Sequence, residues 1–129
     1  MNIGEAAAAS AVSAKMIRHY EALGLLPKVP RSGSGYRQYD DATLHTLRFI
    51  RRARDLGFSI KEIETLLGLW RNRRRASADV KRFALAHVDD LQRRIDEMQS
   101  MQRTLAHLAH CCRGDARPDC PILDDLARA

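Results

Sequence analysis

The sequence contains no long apolar run. Its longest uncharged stretches, such as residues 6–14, are rich in alanine and serine and fall well short of the ~20 apolar residues that a membrane-spanning helix needs. No basic segment precedes residues 6–14, so a secretory leader is not indicated either. A chain of 129 residues also leaves no room for a multi-domain enzyme. The sequence therefore predicts a small, folded cytoplasmic protein that has no membrane partner.

Cysteine is scarce as well. The chain has only three cysteines, Cys111, Cys112 and Cys120. An odd number in a chain that we expect in the cytoplasm argues against a disulfide framework and favours metal or redox chemistry. The sequence lacks both a C-x-x-C motif and a βαβ pattern, which argues against a small thiol oxidoreductase. We therefore expect a protein that is not an enzyme.

Positive charge is concentrated in the first part of the chain. Residues 1–75 carry 14 lysines and arginines against 7 acidic residues, whereas residues 76–129 carry 8 against 9. A basic segment joined to a nearly neutral one indicates that the first segment binds an anionic polymer such as DNA. On charge alone, the alternative is a basic face that is merely solvated.

Cap and turn signals predict a helix-turn-helix at the start of the chain. A short helix over residues 3–9 precedes a second helix, which Ser13 caps and Gly24 ends. Residues 25–39 are rich in proline and glycine and predict a two-stranded β-wing.

Two further helices complete the predicted winged helix-turn-helix domain, which we assign to residues 1–75. Asp40 or Asp41 caps the third helix and Gly57 ends it. Ser59 and Glu62 have the spacing of a capping box at the start of the fourth helix. A basic connector over residues 71–75 then marks the domain boundary.

Neither proline nor glycine interrupts residues 79–110, which predicts one long helix. Its seam positions alternate in steps of four and three; they are Ala84, Val88, Leu91, Ile95, Met98, Gln102 and Leu105. A helix of ~48 Å is too long to pack along its whole length on so small a body. We therefore predict a homodimer joined by a coiled coil over residues 76–110, the alternative being a helix folded back on its own domain. The fold class is mainly α with a small β-wing.

Cationic and phenolic side chains occur together on three of the predicted elements. In the second helix, Lys15, Arg18 and His19 share one face, and Tyr20 lies alongside it. Such a helix presents its residues to the major groove, where arginine pairs with guanine and a tyrosine hydroxyl reaches phosphate. Further members lie in the wing and at the turn between the third and fourth helices: Arg31, Tyr36, Arg37, Tyr39, Arg54 and Lys61. Each alone is typical of a surface residue, but their convergence predicts a DNA interface.

Cys112 and Cys120 are separated by seven residues within the predicted C-terminal segment, residues 111–129. Thiolates are soft ligands that select Cu(I), zinc and their heavier relatives, whereas a closed zinc site normally needs four protein ligands. Two thiols suit a linear site for Cu(I), Ag(I) or Au(I), one ion per chain, and a short helix starting at Pro121 would offset the remaining negative charge. His110 and Cys111 stay open as extra ligands. The alternative is a thiol redox sensor in which Cys112 and Cys120 form a disulfide.

Four segments, in their order and spacing, resemble the MerR family of transcriptional regulators: MNIGEAAAAS, KMIRHYEALGLL, RSGSGYRQYD and RRARDLGFSIKEIETLL. The resemblance implies a winged helix-turn-helix dimer joined by long antiparallel helices. It also implies that the protein distorts promoter DNA, and that an effector changes this distortion so that RNA polymerase can initiate. On this chain the family's DNA contacts correspond to Lys15, Arg18, Tyr20, Arg31, Tyr36, Arg37 and Arg54.

The cysteine loop and the run SADVK, residues 77–81, resemble the copper-sensing, CueR-like branch of this family. The resemblance implies that Cys112 and Cys120 are the ligands, that Ser77 selects monovalent ions because divalent-sensing relatives have cysteine there, and that the protein activates metal efflux or resistance genes. Pro118 is similar to gold-responsive members, whereas Arg113 matches neither the copper nor the gold pattern. The choice among copper, silver and gold stays open, and a divalent zinc, lead or mercury sensor is the alternative.

Overall fold

The computed structural model describes residues 1–27, 33 and 38–128, and these residues form helices joined by short turns. The helices are α1 (Ile3–Ser10), α2 (Ala14–Ala22), α3 (Asp41–Asp55), α4 (Ile60–Arg71), α5 (Ser77–Cys111) and α6 (Pro121–Leu126). The prediction of a mainly helical protein is confirmed. The described residues include no strand, and the predicted β-wing lies largely outside them. No helix in the described part of the chain combines the length and the apolar character required to cross a bilayer.

The chain folds into two compact units, Met1–Lys81 and Arg82–Ala129. The first unit has an apolar core to which the first four helices contribute. In it, α1 packs on α2 and on α3, and α3 packs on α4. The most deeply buried aliphatic side chains are Ile17, Leu47, Ile50, Ile63 and Leu67. Because complete burial of one such side chain stabilises the fold by about 1.5–3 kcal/mol, these residues hold α2, α3 and α4 together, and the buried Ala6 adds α1 to the same core.

The turn between α1 and α2 spans residues 11–13 and is stabilised by two serine side chains. The buried Ser10 hydroxyl donates to the Ala6 carbonyl oxygen at 2.7 Å and accepts from the Val12 N–H at 3.3 Å. Ala11 adopts the left-handed conformation, with φ of 57°. Ser13 then accepts from the Met16 N–H at 3.2 Å and starts α2, as predicted.

Both α2 and α3 end at the glycines that the sequence indicated. Gly24 and Gly57 have φ of 75° and 88°, a left-handed conformation that carries no steric penalty only in glycine. After Gly24, the Leu25 N–H donates to the Tyr20 carbonyl oxygen at 3.0 Å. After Gly57, the Phe58 N–H donates to the Ala53 carbonyl oxygen at 3.1 Å. Each glycine thereby lets the chain turn and satisfy the last carbonyls of its helix.

Side-chain caps fix the starts of α3 and α4. Asp40 accepts from the backbone N–H and from the hydroxyl of Thr43, both at 2.9 Å, and these bonds lower the pKa of Asp40. The carboxylate therefore stays charged beside the positive end of the helix dipole. In α4 the predicted capping box is present, because Ser59 accepts from the Glu62 N–H at 3.2 Å and Glu62 accepts from the Ser59 N–H at 2.9 Å. Of the two aspartates considered for α3, Asp40 is the cap.

Hydrogen bonds between residues distant in sequence tie the first unit together. Arg48 donates to the Ala9 carbonyl oxygen at 3.2 Å, joining α3 to α1. Arg71 donates to the Leu25 carbonyl oxygen at 3.2 Å, joining the end of α4 to the segment after α2. The hydroxyl of the buried Tyr39 donates to Glu21 of α2. The last two bonds hold the end of α2 and the segment that follows it in place.

The helix α5 has 35 residues, so at about 1.5 Å per residue it is about 52 Å long. It begins two residues before the predicted start at Asp79 and ends one residue after His110. His87 is its only buried residue. Its exposed large apolar side chains are Leu85, Val88, Ile95, Met98, Met101 and Leu105.

The predicted region boundaries lie close to the ends of the described helices. The predicted connector at residues 71–75 matches the gap between α4 and α5, although the first turn of α5 belongs to the first compact unit. Pro121 is the first residue of α6, as expected from its fixed φ. The assignment of residues 1–75, 76–110 and 111–129 to three functions stays a prediction.

We expect Ser59→Ala to lower the free energy of unfolding by about 0.5–2 kcal/mol, because it removes the acceptor that caps α4. The measurement is urea denaturation followed by circular dichroism at a fixed protein concentration. Ser100→Ala, on the exposed surface of α5, is the matched control and should leave the stability nearly unchanged. Equal effects of the two substitutions would show that the cap does not contribute to stability.

Candidate DNA interface and thiol loop

The helix α2 separates its cationic residues from its buried ones. Lys15, Arg18 and His19 are exposed, whereas Ile17 and Tyr20 are buried in the core. The alternation follows from the helical period, since residues three and four apart share a face. The predicted cationic face is therefore presented to solvent, on a helix that the core holds in place.

The sequence places Tyr20 alongside the exposed cationic face of α2, whereas the structure buries it. Its side chain is only 4% exposed and belongs to the core, so it is not a freely exposed phenol. It also lines an open recess beside the turn that precedes α2, together with Arg51, Arg54 and Asp55 of α3. Its role as a DNA contact stays a prediction, and the recess is the place where its ring could take part.

This recess adds Arg51 to the candidate interface. Two guanidinium groups beside a phenol suit a phosphate group, and Asp55 is the one acidic side chain that lines the same recess. The sequence carried a signal for Arg51, because it precedes Arg54 by three residues and so lies on the same face of a helix. That signal could not show that the face borders the turn before α2, which is a tertiary contact.

The remaining predicted DNA contacts divide into three groups. Lys61 is exposed in the first turn of α4, near the turn that follows α3. Arg31, Tyr36 and Arg37 lie outside the described residues. Tyr39 is different: it is 2% exposed and its hydroxyl donates to Glu21, and its role in holding DNA phosphate stays a prediction. Its ring belongs to the core because the segment before α3 packs inward at this point.

The three cysteines are free thiols in different environments. Cys111 is exposed at the last residue of α5, whereas Cys112 and Cys120 are half-buried at the two ends of the following loop. The Cys112 N–H donates to the carbonyl oxygens of Leu108 and Ala109, so this residue continues the helical path of α5. Cys120 is the residue before α6 and makes no side-chain capping bond, although its carbonyl oxygen accepts from Asp124. Both predicted ligands are therefore anchored at helix ends.

The loop between these cysteines has its own local structure. Gly114 has φ of 65°, which makes a turn just after α5. Asp115 accepts from the Arg117 N–H at 2.9 Å, and its carboxylate lies 3.9 Å from the guanidinium of Arg117. A recess borders this loop and is lined by Cys111, Arg113, Asp115, Arg117, Asp119 and Pro121. Within residues 1–27, 33 and 38–128, no three histidine, cysteine, aspartate or glutamate side chains converge as a ready-made metal site.

Ser77, the residue predicted to govern metal selectivity, is the first residue of α5 and is exposed. It belongs to the first compact unit, whereas Cys112 and Cys120 belong to the second. Its role stays a prediction.

Two short helices joined by a three-residue turn, with a cationic outer face on the second, define a helix-turn-helix DNA-binding protein. Comparison with protein families agrees, because the model for MerR HTH family regulatory proteins matches residues 1–69 and the model for MerR DNA binding matches residues 44–108. The chain belongs to the MerR family. Members of this family are transcriptional regulators, and the protein is accordingly a regulator and not an enzyme.

Individual relatives support the assignment over nearly the whole chain. The chain is 59% identical to the transcriptional regulator HmrR of Sinorhizobium medicae, over 99% of this chain and 87% of that protein. It is 42% identical to the transcriptional regulator CueR of Escherichia coli O157:H7, over 98% and 94% of the two chains. Among solved structures, the lead(II) complex of the transcription regulator PbrR691 from Ralstonia metallidurans matches with a TM-score of 0.83 and 32% identity, over 98% of this chain and 99% of that one.

We expect Arg18→Ala to weaken binding to duplex DNA roughly tenfold or more, because it removes an exposed cation from the outer face of α2. Fluorescence anisotropy would measure this on a site that the wild-type protein selects from a random-sequence pool, at several salt concentrations. Arg93→Ala, which removes an exposed cation of α5, is the matched control and should bind nearly as the wild type does. Unchanged affinity of the Arg18 variant would show that α2 is not the reading helix.

Proposed function

We propose that this protein is a metal-responsive activator that binds promoter DNA in the cytoplasm as a homodimer. In this proposal Cys112 and Cys120 hold one Cu(I), Ag(I) or Au(I) per chain, and binding changes the promoter distortion so that RNA polymerase transcribes metal efflux or resistance genes. The observation that carries the proposal is the pair of half-buried free thiols at the two ends of one loop.

The donor set fits a monovalent soft ion. Thiolates are soft ligands, and two of them suffice for a linear d10 ion, whereas tetrahedral zinc needs further ligands. Within the described residues no third histidine, cysteine or carboxylate joins two others in a metal-binding group. Two thiolates on one monovalent ion leave a net charge of −1, which the positive end of α6, directly after Cys120, helps to offset.

The exposed apolar side chains of α5 support a homodimer. Val88, Ile95, Met98 and Leu105 are between 48% and 67% exposed in the single chain. They lie on the predicted seam, with the four-three spacing of a coiled coil. Leaving this stripe in water forgoes about 25 cal/mol for each square ångström of apolar surface that a partner helix would cover. A second copy of α5 supplies the same spacing and is the simplest partner.

The switching step is energetically reasonable. Deforming a DNA site of two or three helical turns costs on the order of 1–6 kcal/mol. An effector shifts the balance between two protein conformations by its difference in affinity for them. In this proposal the soft ion is held by two thiolates in only one conformation, and its binding therefore favours that conformation.

A sensor of divalent ions is the second candidate, and the likeness to PbrR691, solved with lead(II), favours it. Three further relatives are 53% to 59% identical to this chain: HmrR and two proteins named heavy metal-dependent transcription regulators. Their names do not say whether the metal ion is monovalent or divalent. Ser77 distinguishes the two candidates, because a serine hydroxyl is a poor ligand for soft metals.

We expect Cys112→Ser and Cys120→Ser each to weaken Cu(I) binding at least a hundredfold and to abolish induction, while DNA affinity is retained. Anaerobic titration under a competing chelator gives the stoichiometry and affinity, and X-ray absorption counts the sulfur neighbours. The wild type should bind one ion per chain with two sulfur neighbours. Cys111→Ser removes the adjacent thiol and should leave Cu(I) binding intact. Loss of DNA binding in the Cys112 or Cys120 variant would instead indicate that the loop is structural.

We expect Ser77→Cys to shift the response toward Zn(II) or Pb(II), because it adds a further thiolate to the chain. The measurement is reporter transcription as a function of each metal, with Ser100→Cys, which adds a thiol elsewhere on α5, as the control. A wild type that already responds most strongly to divalent ions, or a Ser77 variant with an unchanged profile, would contradict the monovalent assignment.

A further inference from the structure

His107 and Cys111 form a pair of metal-ligating side chains outside the predicted two-thiol site. They lie one helical turn apart at the end of α5, so their side chains share one face. The Cys111 Sγ lies 3.8 Å from the His107 Nε2. Both residues are exposed, so an ion can reach them from solvent.

The separation of these two atoms defines the kind of ion that fits between them. With about 2.3 Å from metal to sulfur and about 2.0–2.1 Å from metal to nitrogen, a linear site would require about 4.3 Å between the ligand atoms, and a tetrahedral site about 3.5 Å. The observed 3.8 Å lies between these two values and nearer to the tetrahedral one. A mixed sulfur and nitrogen donor set favours a divalent ion of borderline softness such as Zn(II).

The surroundings of Cys111 leave room for the remaining ligands. Cys111 lines an open recess of about 300 Å³, enough for several water molecules at about 30 Å³ each. Asp115 and Asp119 line the same recess, as do Arg113 and Arg117. The two carboxylates balance the two guanidinium groups, so a thiolate at Cys111 makes the local charge negative and suits a cation.

Cys112 and His110, which neighbour this pair, differ from it in exposure or in contacts. Cys112 is half-buried whereas Cys111 is exposed, and adjacent residues on a helical path point about 100° apart. His110 is exposed as well, yet His107 is the histidine in contact with the Cys111 sulfur. The two thiols therefore have different surroundings.

We propose that His107 and Cys111 form a second metal site, which chelates a divalent ion such as Zn(II) with water in the remaining positions. This site is independent of the ion held by Cys112 and Cys120 in the proposed function. The chain then binds a soft monovalent ion and a borderline divalent ion at separate places in the same unit.

The test uses Co(II) as the probe, because cobalt bound to thiolate has a charge-transfer absorption in the near ultraviolet. The full-length protein carrying Cys112→Ser and Cys120→Ser is reduced, freed of metal and titrated anaerobically with Co(II), and Zn(II) is then added in competition. We expect one Co(II) per chain with a thiolate signature, displaced by Zn(II). His107→Gln in this background should weaken binding at least tenfold, whereas the matched control His110→Gln should leave it unchanged.

The result can overturn this proposal without affecting the proposed function. Absence of a thiolate signature in the double variant, or equal losses with His107→Gln and His110→Gln, would refute the second site. Cu(I) titration of the wild type and of Cys111→Ser tests the two-thiol site separately, since that pair does not include Cys111.

Discussion

Burial of the apolar faces of the first four helices is the constraint on which the rest of this structure depends. The helices α1 and α2 have only 8 and 9 residues. Isolated helices shorter than about 12–15 residues are marginal in water, so these two persist because Ala6 of α1 and Ile17 of α2 are completely buried in the core. The cationic face of α2 is presented to solvent as a consequence of that burial. The candidate DNA interface is thus an outcome of core packing, with the cations on the side that the core leaves free.

The second unit is stabilised in a different way. His87 is the only buried residue of α5, and six of the large apolar side chains along that helix are about half exposed or more. A helix of this kind gains little from its own chain and gains most from a partner helix. The proposed dimer therefore joins the folding of α5 to assembly, and it connects the DNA-binding units of two copies. The cysteine loop follows directly on α5, so the two proposed sites of dimer contact and metal binding are adjacent along the chain.

The three thiols differ in chemistry because of their places on the helices. Cys112 and Cys120 are half-buried at the two ends of one loop, which suits two soft ligands for one ion. Cys111 is exposed and lies beside His107, so it pairs with a nitrogen ligand instead. The end of α5 and the loop after it therefore bring together exposed and half-buried thiols and an imidazole, which are donors suited to soft and borderline ions.

The sequence by itself determined where α2, α3 and α4 begin and where α2 and α3 end. Ser13, Asp40 and Ser59 cap the starts of α2, α3 and α4, and Gly24 and Gly57 follow the ends of α2 and α3. These positions can be predicted because a cap or a left-handed turn involves atoms within a few residues of one another. The same local order made the family recognisable. Only the tertiary structure decided which tyrosine rings are buried and which cationic side chains line the same recess. Tyr39 reaches Glu21 18 residues earlier, Arg48 reaches Ala9 across 39 residues, and Arg51 and Arg54 line a recess with Tyr20. No local pattern encodes these contacts, because they form only when the shared core brings distant segments together.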